Sequence, residues 1–378
     1  MPGLSLSLPP FPDNIPTIPL LVIDYELIKA GDVQEIERLW DAATDLGFWY
    51  LKNHGVDEEV DGMFDMGAET MDLPLEEKLR YEQGDLGHSF GYKAAGTYAT
   101  DQHGSTDTVE FINISKDDAL AYPHIIHRTY PPTVTARMQK TIIPFVRKSL
   151  EVMDTLFAIF ESKLSLPPGT LLKSHSPSEP SGSEARTIKM LPRKLDPDST
   201  STSGSRLLLK DKENMKVAHG AHTDFGSLSF LHNRLGGLQV LPHGSSNIEE
   251  DWVYVRPIIG HAICNIGDTL TLYSGGILKS SLHRVVPPPG EQGAHERWSV
   301  VFFSRPGFGQ DLRALGEESE VVRGAVGRMG VEERKRYEPG ATSGEWYTRR
   351  MVNLRIKNRT GPESWIASRG MEHTLEAR

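Results

Sequence analysis

The chain has 378 residues, 38% of them hydrophobic, with a formal net charge of −10 and an isoelectric point near 5.8. That apolar content can build a sizeable core, and the acidic balance excludes the clustered basic footprint of a nucleic-acid binder. No stretch approaches the roughly 20 apolar residues of a membrane span, and Met1-Pro2-Gly3-Leu4 lacks the basic-then-apolar start of a secretion signal, so the expected location is cytoplasmic.

In chain order, residues 1–17 are proline-rich and read as an extended arm, and Ile18 to Asp24 reads as a first strand. Asp32 to Leu46 carries Val33, Ile36, Leu39, Trp40 and Ala43 at helical spacing, with Gly47 as the stop. Phe48 to Leu51 is a strand ending at Asn53-His54-Gly55. Glu58 to Met71 is a second helix, Pro74 begins a third, and Pro144 to Lys163 forms another around Phe145, Leu150, Met153, Leu156, Phe157 and Phe160. From about 185 the texture changes to short segments bounded by glycine, proline and asparagine. These are Thr187–Leu191, Met215–Ala218, Ser227–Leu231, Leu238–Leu241, Trp252–Val255, Ala262–Ile266, Thr269–Tyr273 and Trp298–Ser304. Such runs predict an antiparallel sandwich or jelly roll. Charged helical patterning returns beyond about 311. The expected organisation is a mostly helical region over 1–165, a β core over 185–310 and a helical extension over 311–378, packed as one unit.

Two polar segments, Ser174–Glu184 and Asp196–Asn214, flank Arg186–Pro192 and read as mobile surface insertions, or as a lid over a site mouth. The single Cys264 sits in the apolar run Ala262–Ile266, where a buried core thiol is expected.

The chemistry concentrates in two places. Alternate residues of a strand share a face, so His222 and Asp224 can converge while Thr223 points away; His283 follows about 60 residues later. Two imidazoles and one carboxylate with no cysteine form the facial triad of a non-haem Fe(II) centre. Arg297 and Ser299 have the same two-residue period, which suits a carboxylate held bidentately by the guanidinium and singly by the hydroxyl. A ligand that chelates iron at one end and carries a free carboxylate at the other is 2-oxoglutarate.

The residues also carry a family resemblance. His222-Thr223-Asp224-Phe225-Gly226, Gly236–Val240, Asn265-Ile266-Gly267-Asp268, Ser281–Val285 and Arg297–Phe303 occur in the order found in iron- and 2-oxoglutarate-dependent dioxygenases of the isopenicillin N synthase-like branch. Ile18-Pro19-Leu20, Ile23-Asp24 and Gly47–Gly55 fit its N-terminal part. The resemblance implies a mainly β fold with flanking helices around a double-stranded β-helix core. It implies Fe(II) on His222, Asp224 and His283, and 2-oxoglutarate on Arg297 and Ser299. The expected reaction consumes dioxygen, releases succinate and carbon dioxide, and oxidises a small organic metabolite by hydroxylation, desaturation, cyclisation or rearrangement, with specialised metabolism as the expected setting.

Further expectations follow from the same alignment. Many relatives carry an Asn-x-Tyr pair before a proline on the strand beside the metal; aligning Pro192 puts Lys189 and Leu191 in those places. Thr187, Lys189 and Leu191 are then expected to face the cavity, Lys189 toward the cosubstrate, with Ile188 and Met190 packed behind. Phe303 and Arg305 continue the Arg297 face toward a substrate. The Gly84–Gly96 region with Phe90, Tyr92 and Tyr98, and the nearby Asp107, Glu110 and Phe111, are candidates for the pocket wall. Asn265–Asp268 is expected to be a turn with a positive φ at Gly267. Three rivals remain: a same-fold oxidase without 2-oxoglutarate, a silent binding module, and a zinc hydrolase or cupin-like isomerase.

Overall fold

The computed structural model describes residues 8–192 and 217–371. Among the described residues, twelve strands build the two main sheets, a separate two-stranded pair joins Asp311–Leu312 to Ala341–Thr342, and five helices matter to the site. The strands are β1 (Val22–Asp24), β2 (Phe48–Lys52), β3 (Gly91–Lys93), β4 (Val109–Ser115), β5 (Glu184–Met190), β6 (His219–His222), β7 (Leu228–Asn233), β8 (Leu238–Val240), β9 (Val253–Tyr254), β10 (His261–Ile266), β11 (His283–Val285) and β12 (Arg297–Ser304). The helices are α1 (Val33–Asp45), α2 (Asp57–Met71), α3 (Ile143–Lys163), α4 (Asp268–Tyr273) and α5 (Ser343–Leu354).

The larger sheet runs β1-β2-β10-β7-β12-β5-β4-β3 and the smaller β6-β11-β8-β9. Among the described residues these strands pair antiparallel throughout, except β1 with β2, which is parallel. The two sheets face each other as a double-stranded β-helix, the architecture that the motif order implies. The N-terminal strands β1 to β4 extend the larger sheet at both ends.

Alternation along β12 sorts its side chains. Trp298, Val300 and Phe302 belong to the main apolar core on the outer face, with Phe230 of β7 and Cys264 of β10. Helix α3 covers that face: Phe145 packs edge-on to Phe302 with centroids 6.5 Å apart, and Phe160 meets Trp49 at 6.3 Å. Burial of this kind contributes roughly 1.5–3 kcal/mol per large side chain. It also pushes the Cys264 thiol far above its ordinary range, leaving it an inert core group.

Helix α1 ends where the sequence marks it. Gly47 takes φ +75°, its N–H returns to Ala42 O at 2.8 Å, and a Cβ there would meet Lys279 O at 1.8 Å. Glycine is therefore needed twice over, for the left-handed turn and for the close approach.

Three expectations are corrected. Thr269–Tyr273 is helical, not a strand: all five side chains are buried, so the threonine–leucine alternation does not separate a wet face from a dry one. Gly267 has φ −106°; glycine is required because a Cβ would lie 2.2 Å from Gly226 O. Ser174–Glu184 is packed, with Ser181, Ser183 and Glu184 buried and the Lys116 ammonium bonding Pro177 O (3.0 Å) and Glu179 O (2.8 Å). Its two ends are buried and hydrogen-bonded, while 177–180 are exposed. The second polar segment, 196–214, lies outside the described residues, as do 215 and 216 of the predicted strand 215–218. Among the described residues no helix is long and apolar enough to cross a membrane.

Candidate metal and cosubstrate site

The space between the sheets, with the open solvent at its mouth included, measures about 1040 Å³. Strand β6 leads into Asp224, and His222 sits directly opposite His283 of β11 in the ladder. One ligand atom from each of His222, Asp224 and His283 lies within 4.8 Å of the others. The Nε2 atoms of His222 and His283 are 3.6 and 3.7 Å from Asp224 Oδ1.

The neighbours orient these atoms. His222 Nδ1 lies 2.7 Å from Gly220 O and His283 Nδ1 lies 3.0 Å from Ser281 O, so each Nδ1 carries the proton and each Nε2 turns a lone pair inward. Ser229 Oγ (2.5 Å) and Asn265 Nδ2 (2.8 Å) donate to Asp224 Oδ2, leaving Oδ1 for the shared point. Burial alone would raise the Asp224 carboxyl; the charge of the two imidazoles when they are protonated, and the Asn265 bond, outweigh it and hold the group well below the usual range. Three ligands on one side of a point, two neutral nitrogens and one carboxylate oxygen, suit Fe(II) with open positions. Thr223 points the other way, its hydroxyl donating to Asp268 Oδ2 at 3.0 Å.

Across the cavity Arg297 is 3% exposed. Its Nε donates to Gly236 O at 2.7 Å and its Nη1 to Ser299 Oγ at 2.7 Å, and among the described residues no carboxylate pairs with it. Burial pulls its pKa down to about 10, still charged at neutral pH. A buried cation without a counter-charge is costly unless an anion arrives. Leu231, Leu238, Val285, Val301 and Ile188 enclose that end in apolar surface.

Phe303, Arg305 and Tyr98 also line the cavity, but Tyr92, Phe111, Thr187, Lys189 and Leu191 do not. Ile188 is opposite Ser299 in the β5–β12 ladder, and directly paired residues share a face. The inward set of β5 is therefore Arg186 and Ile188, and the expectation for Thr187, Lys189 and Leu191 is one residue out of phase. Thr187 faces α2, its hydroxyl on Met63 O at 3.4 Å. Lys189 lies on the outer face, 3.0 Å from Glu296 Oε1 and 5.4 Å from the Trp298 ring centroid, so it does not reach a cosubstrate. Leu191 falls beyond the strand and is 62% exposed. Tyr92 is buried in the main core with its hydroxyl on Glu110 at 2.6 Å, away from the cavity. Phe111 stands behind the lining, against the Arg186 guanidinium at 4.2 Å.

The alignment missed other lining residues. His219 stacks on His222 with centroids 4.2 Å apart; burial holds its pKa well below the ordinary value. Arg186 follows from correct strand phase. Arg350, Met351 and Leu354 come from α5, with Ser368 and Arg369 after it. Arg350 donates to Asp268 Oδ2 (2.7 Å) and Thr223 O (3.0 Å), and Arg369 to Ala221 O (2.6 Å), fastening this segment to the triad strand. The string Trp346–Arg350 was the available signal, but nothing in it indicates where the segment docks.

Fold and site together define a non-haem iron oxygenase that uses 2-oxoglutarate. Comparisons agree: residues 18–134 match the model of the non-haem dioxygenase in morphine synthesis N-terminal region, and 194–306 match that of the 2OG-Fe(II) oxygenase superfamily. Oxidoreductase vrtI of Penicillium aethiopicum is 30% identical over 321 residues, 81% of this chain and 69% of that protein. A 2-oxoglutarate-dependent dioxygenase of Aspergillus fumigatus is 27% identical over 93% of this chain and 90% of its own length. Among solved structures, a full-length Neurospora crassa protein in complex with alpha-KG and thymine superposes with TM-score 0.67 at 22% identity, covering 88% of this chain and 96% of that one. JOX2 in complex with 2OG, Fe and JA gives 0.63 at 18%, covering 97% and 96%. The chain belongs to the 2OG-Fe(II) oxygenase superfamily. It is an iron- and 2-oxoglutarate-dependent dioxygenase of small molecules.

Proposed function

We propose that His222, Asp224 and His283 hold the iron and that Arg297 and Ser299 hold the far carboxylate of 2-oxoglutarate. The observation that carries this is Arg297, buried and, among the described residues, without a counter-charge, in the same cavity as the His–Asp–His group. When bound, iron and 2-oxoglutarate supply the oxidising chemistry, dioxygen being consumed as succinate and carbon dioxide are released and a substrate C–H bond is oxidised.

The protein's own part is positional. Gly220 O and Ser281 O fix the histidine tautomers, and Ser229 and Asn265 keep Asp224 ionised with one oxygen presented. Gly236 O and Ser299 set the plane of the Arg297 guanidinium. Leu231, Leu238, Val285 and Val301 exclude water from that end, which strengthens the carboxylate contact. Phe303, Phe225, Met351 and Leu354 leave a mainly apolar space for a substrate beside the metal point.

That space and the acidic chain favour a small organic metabolite over a nucleic-acid polymer, in a biosynthetic setting within the cytoplasm. A metabolite screen for succinate formation tests the function. Substrate-stimulated succinate, matched by oxygen uptake and abolished by iron chelation, is expected. Turnover that proceeds without 2-oxoglutarate would overturn the assignment.

A further inference from the structure

The cavity holds a second basic locus, distinct from Arg297. At about 3.3 Å of rise per residue, Arg305 lies roughly 26 Å along the chain from Arg297, too far for one molecule of 2-oxoglutarate to reach both. Arg305 and Arg186 both line the cavity and both pack on Phe303, their guanidinium carbons 5.1 and 4.8 Å from its ring centroid.

These two arginines share one carboxylate. Fully buried Glu184 accepts from Arg186 Nη2 at 2.7 Å and from Arg305 Nη2 at 3.3 Å on the same oxygen, Oε1, while Ser89 Oγ occupies Oε2 at 2.6 Å. Arg186 Nε donates to Asn113 Oδ1 at 2.7 Å, and Arg305 Nη1 donates to Gly182 O. Arg305 Nε is buried and has no acceptor among the described residues. The nearby Asp107 carboxylate is taken up by Lys93. Two guanidiniums, 8% and 5% exposed, thus stand against a single negative charge. That arrangement leaves a net positive charge in a buried place, which an incoming anion would offset.

We propose that Arg186 and Arg305 form the recognition site for an oxyanion on the substrate, of the carboxylate class, at the end remote from the carbon that reacts. Around it Tyr98, Phe225, Phe303, Met351 and Leu354 offer aromatic and aliphatic contact. The substrate is therefore an amphipathic organic acid whose apolar body lies between the arginine pair and the His–Asp–His group. This rests on the oxygenase reading of the same cavity.

The test uses the protein loaded with Fe(II) and 2-oxoglutarate without oxygen, so that binding is read without turnover. Aryl-alkyl carboxylates, each beside its sulfonate, methyl ester and primary amide, are titrated by calorimetry and by the visible absorption of the iron–2-oxoglutarate centre. A bond to a charged group is worth about 1.5–3 kcal/mol, so the anionic members should bind about 10- to 150-fold more tightly than their neutral partners. Arg305→Gln should erase that preference, with circular dichroism checking that the variant folds. Equal binding of anion and ester by the unaltered protein, or no binding by any member, overturns the proposal while the 2-oxoglutarate signal stands. Loss of that signal itself overturns the oxygenase reading and this proposal with it.

Discussion

Arg297 and Lys189 are basic residues on neighbouring strands, almost level in the ladder: Lys189 pairs with Trp298, one residue from Arg297. Their surroundings are opposite. Among the described residues Arg297, pointing between the sheets, meets only a carbonyl and a hydroxyl, whereas Lys189 points outward onto Glu296 and the Trp298 ring. The lysine's electrostatics are complete within the chain, so nothing is left for a ligand to supply. The arginine's are incomplete, and burial makes the missing anion worth binding. Face, rather than residue type or position along the strand, separates a ligand-binding cation from a structural one.

Changes on the inner face should then remove function, and changes on the outer face should remove only stability. The largest effect is expected from Asp224→Ala or His283→Ala: succinate formation should fall to background and bound iron should be lost, while circular dichroism stays native. Retained turnover in either variant would sink the metal assignment. On the outer face, Phe302→Ala should lower unfolding free energy by about 3–5 kcal/mol, the usual cost of a large aromatic cavity. The 2-oxoglutarate affinity of the protein still folded should be retained; a collapse there would mean that the two faces are not separable.

Arg297→Met should cost about 2–5 kcal/mol of 2-oxoglutarate binding, the penalty of leaving its carboxylate buried and unpaired. Cosubstrate titration reads this directly, and a shift under threefold would move the clamp elsewhere. Asn265→Ala touches the metal only through Asp224 Oδ2. Its expected effect is about 10- to 100-fold on iron affinity, checked by metal titration of the apoprotein. Lys189→Met should be the smallest: no change in 2-oxoglutarate requirement, and at most about 1 kcal/mol of stability for a pair whose glutamate is partly exposed. A raised requirement in this variant would restore the alignment's reading over the structure's.

How much the sequence revealed depended on whether neighbours in the chain are neighbours in space. His222 and Asp224 were legible because a two-residue period is enough to bring them together, and Arg297 with Ser299 for the same reason. Helices α1, α2 and α3 were legible from apolar spacing and from Gly47. The phase of β5 was not: it was taken from Pro192, beyond the strand's end, when cross-strand pairing of Ile188 with Ser299 sets it. Thr269–Tyr273 failed differently, because an element buried on every side carries no periodic signature. Asp268 was legible as part of a motif but not as an anchor, since its partners Thr223 and Arg350 lie 45 and 82 residues away.

That anchor has a consequence for synthesis. By residue 306 a chain leaving the ribosome already contains His222, Asp224, His283, Arg297 and Ser299. The wall formed by Arg350, Met351, Leu354 and Arg369 is still to come, as is the guanidinium that ties Asp268 to the triad strand. The oxidising centre is thus enclosed last. A chain elongated only that far carries the proposed iron ligands without the wall that Arg350, Met351, Leu354 and Arg369 add, so the segment beyond residue 306 completes the cavity.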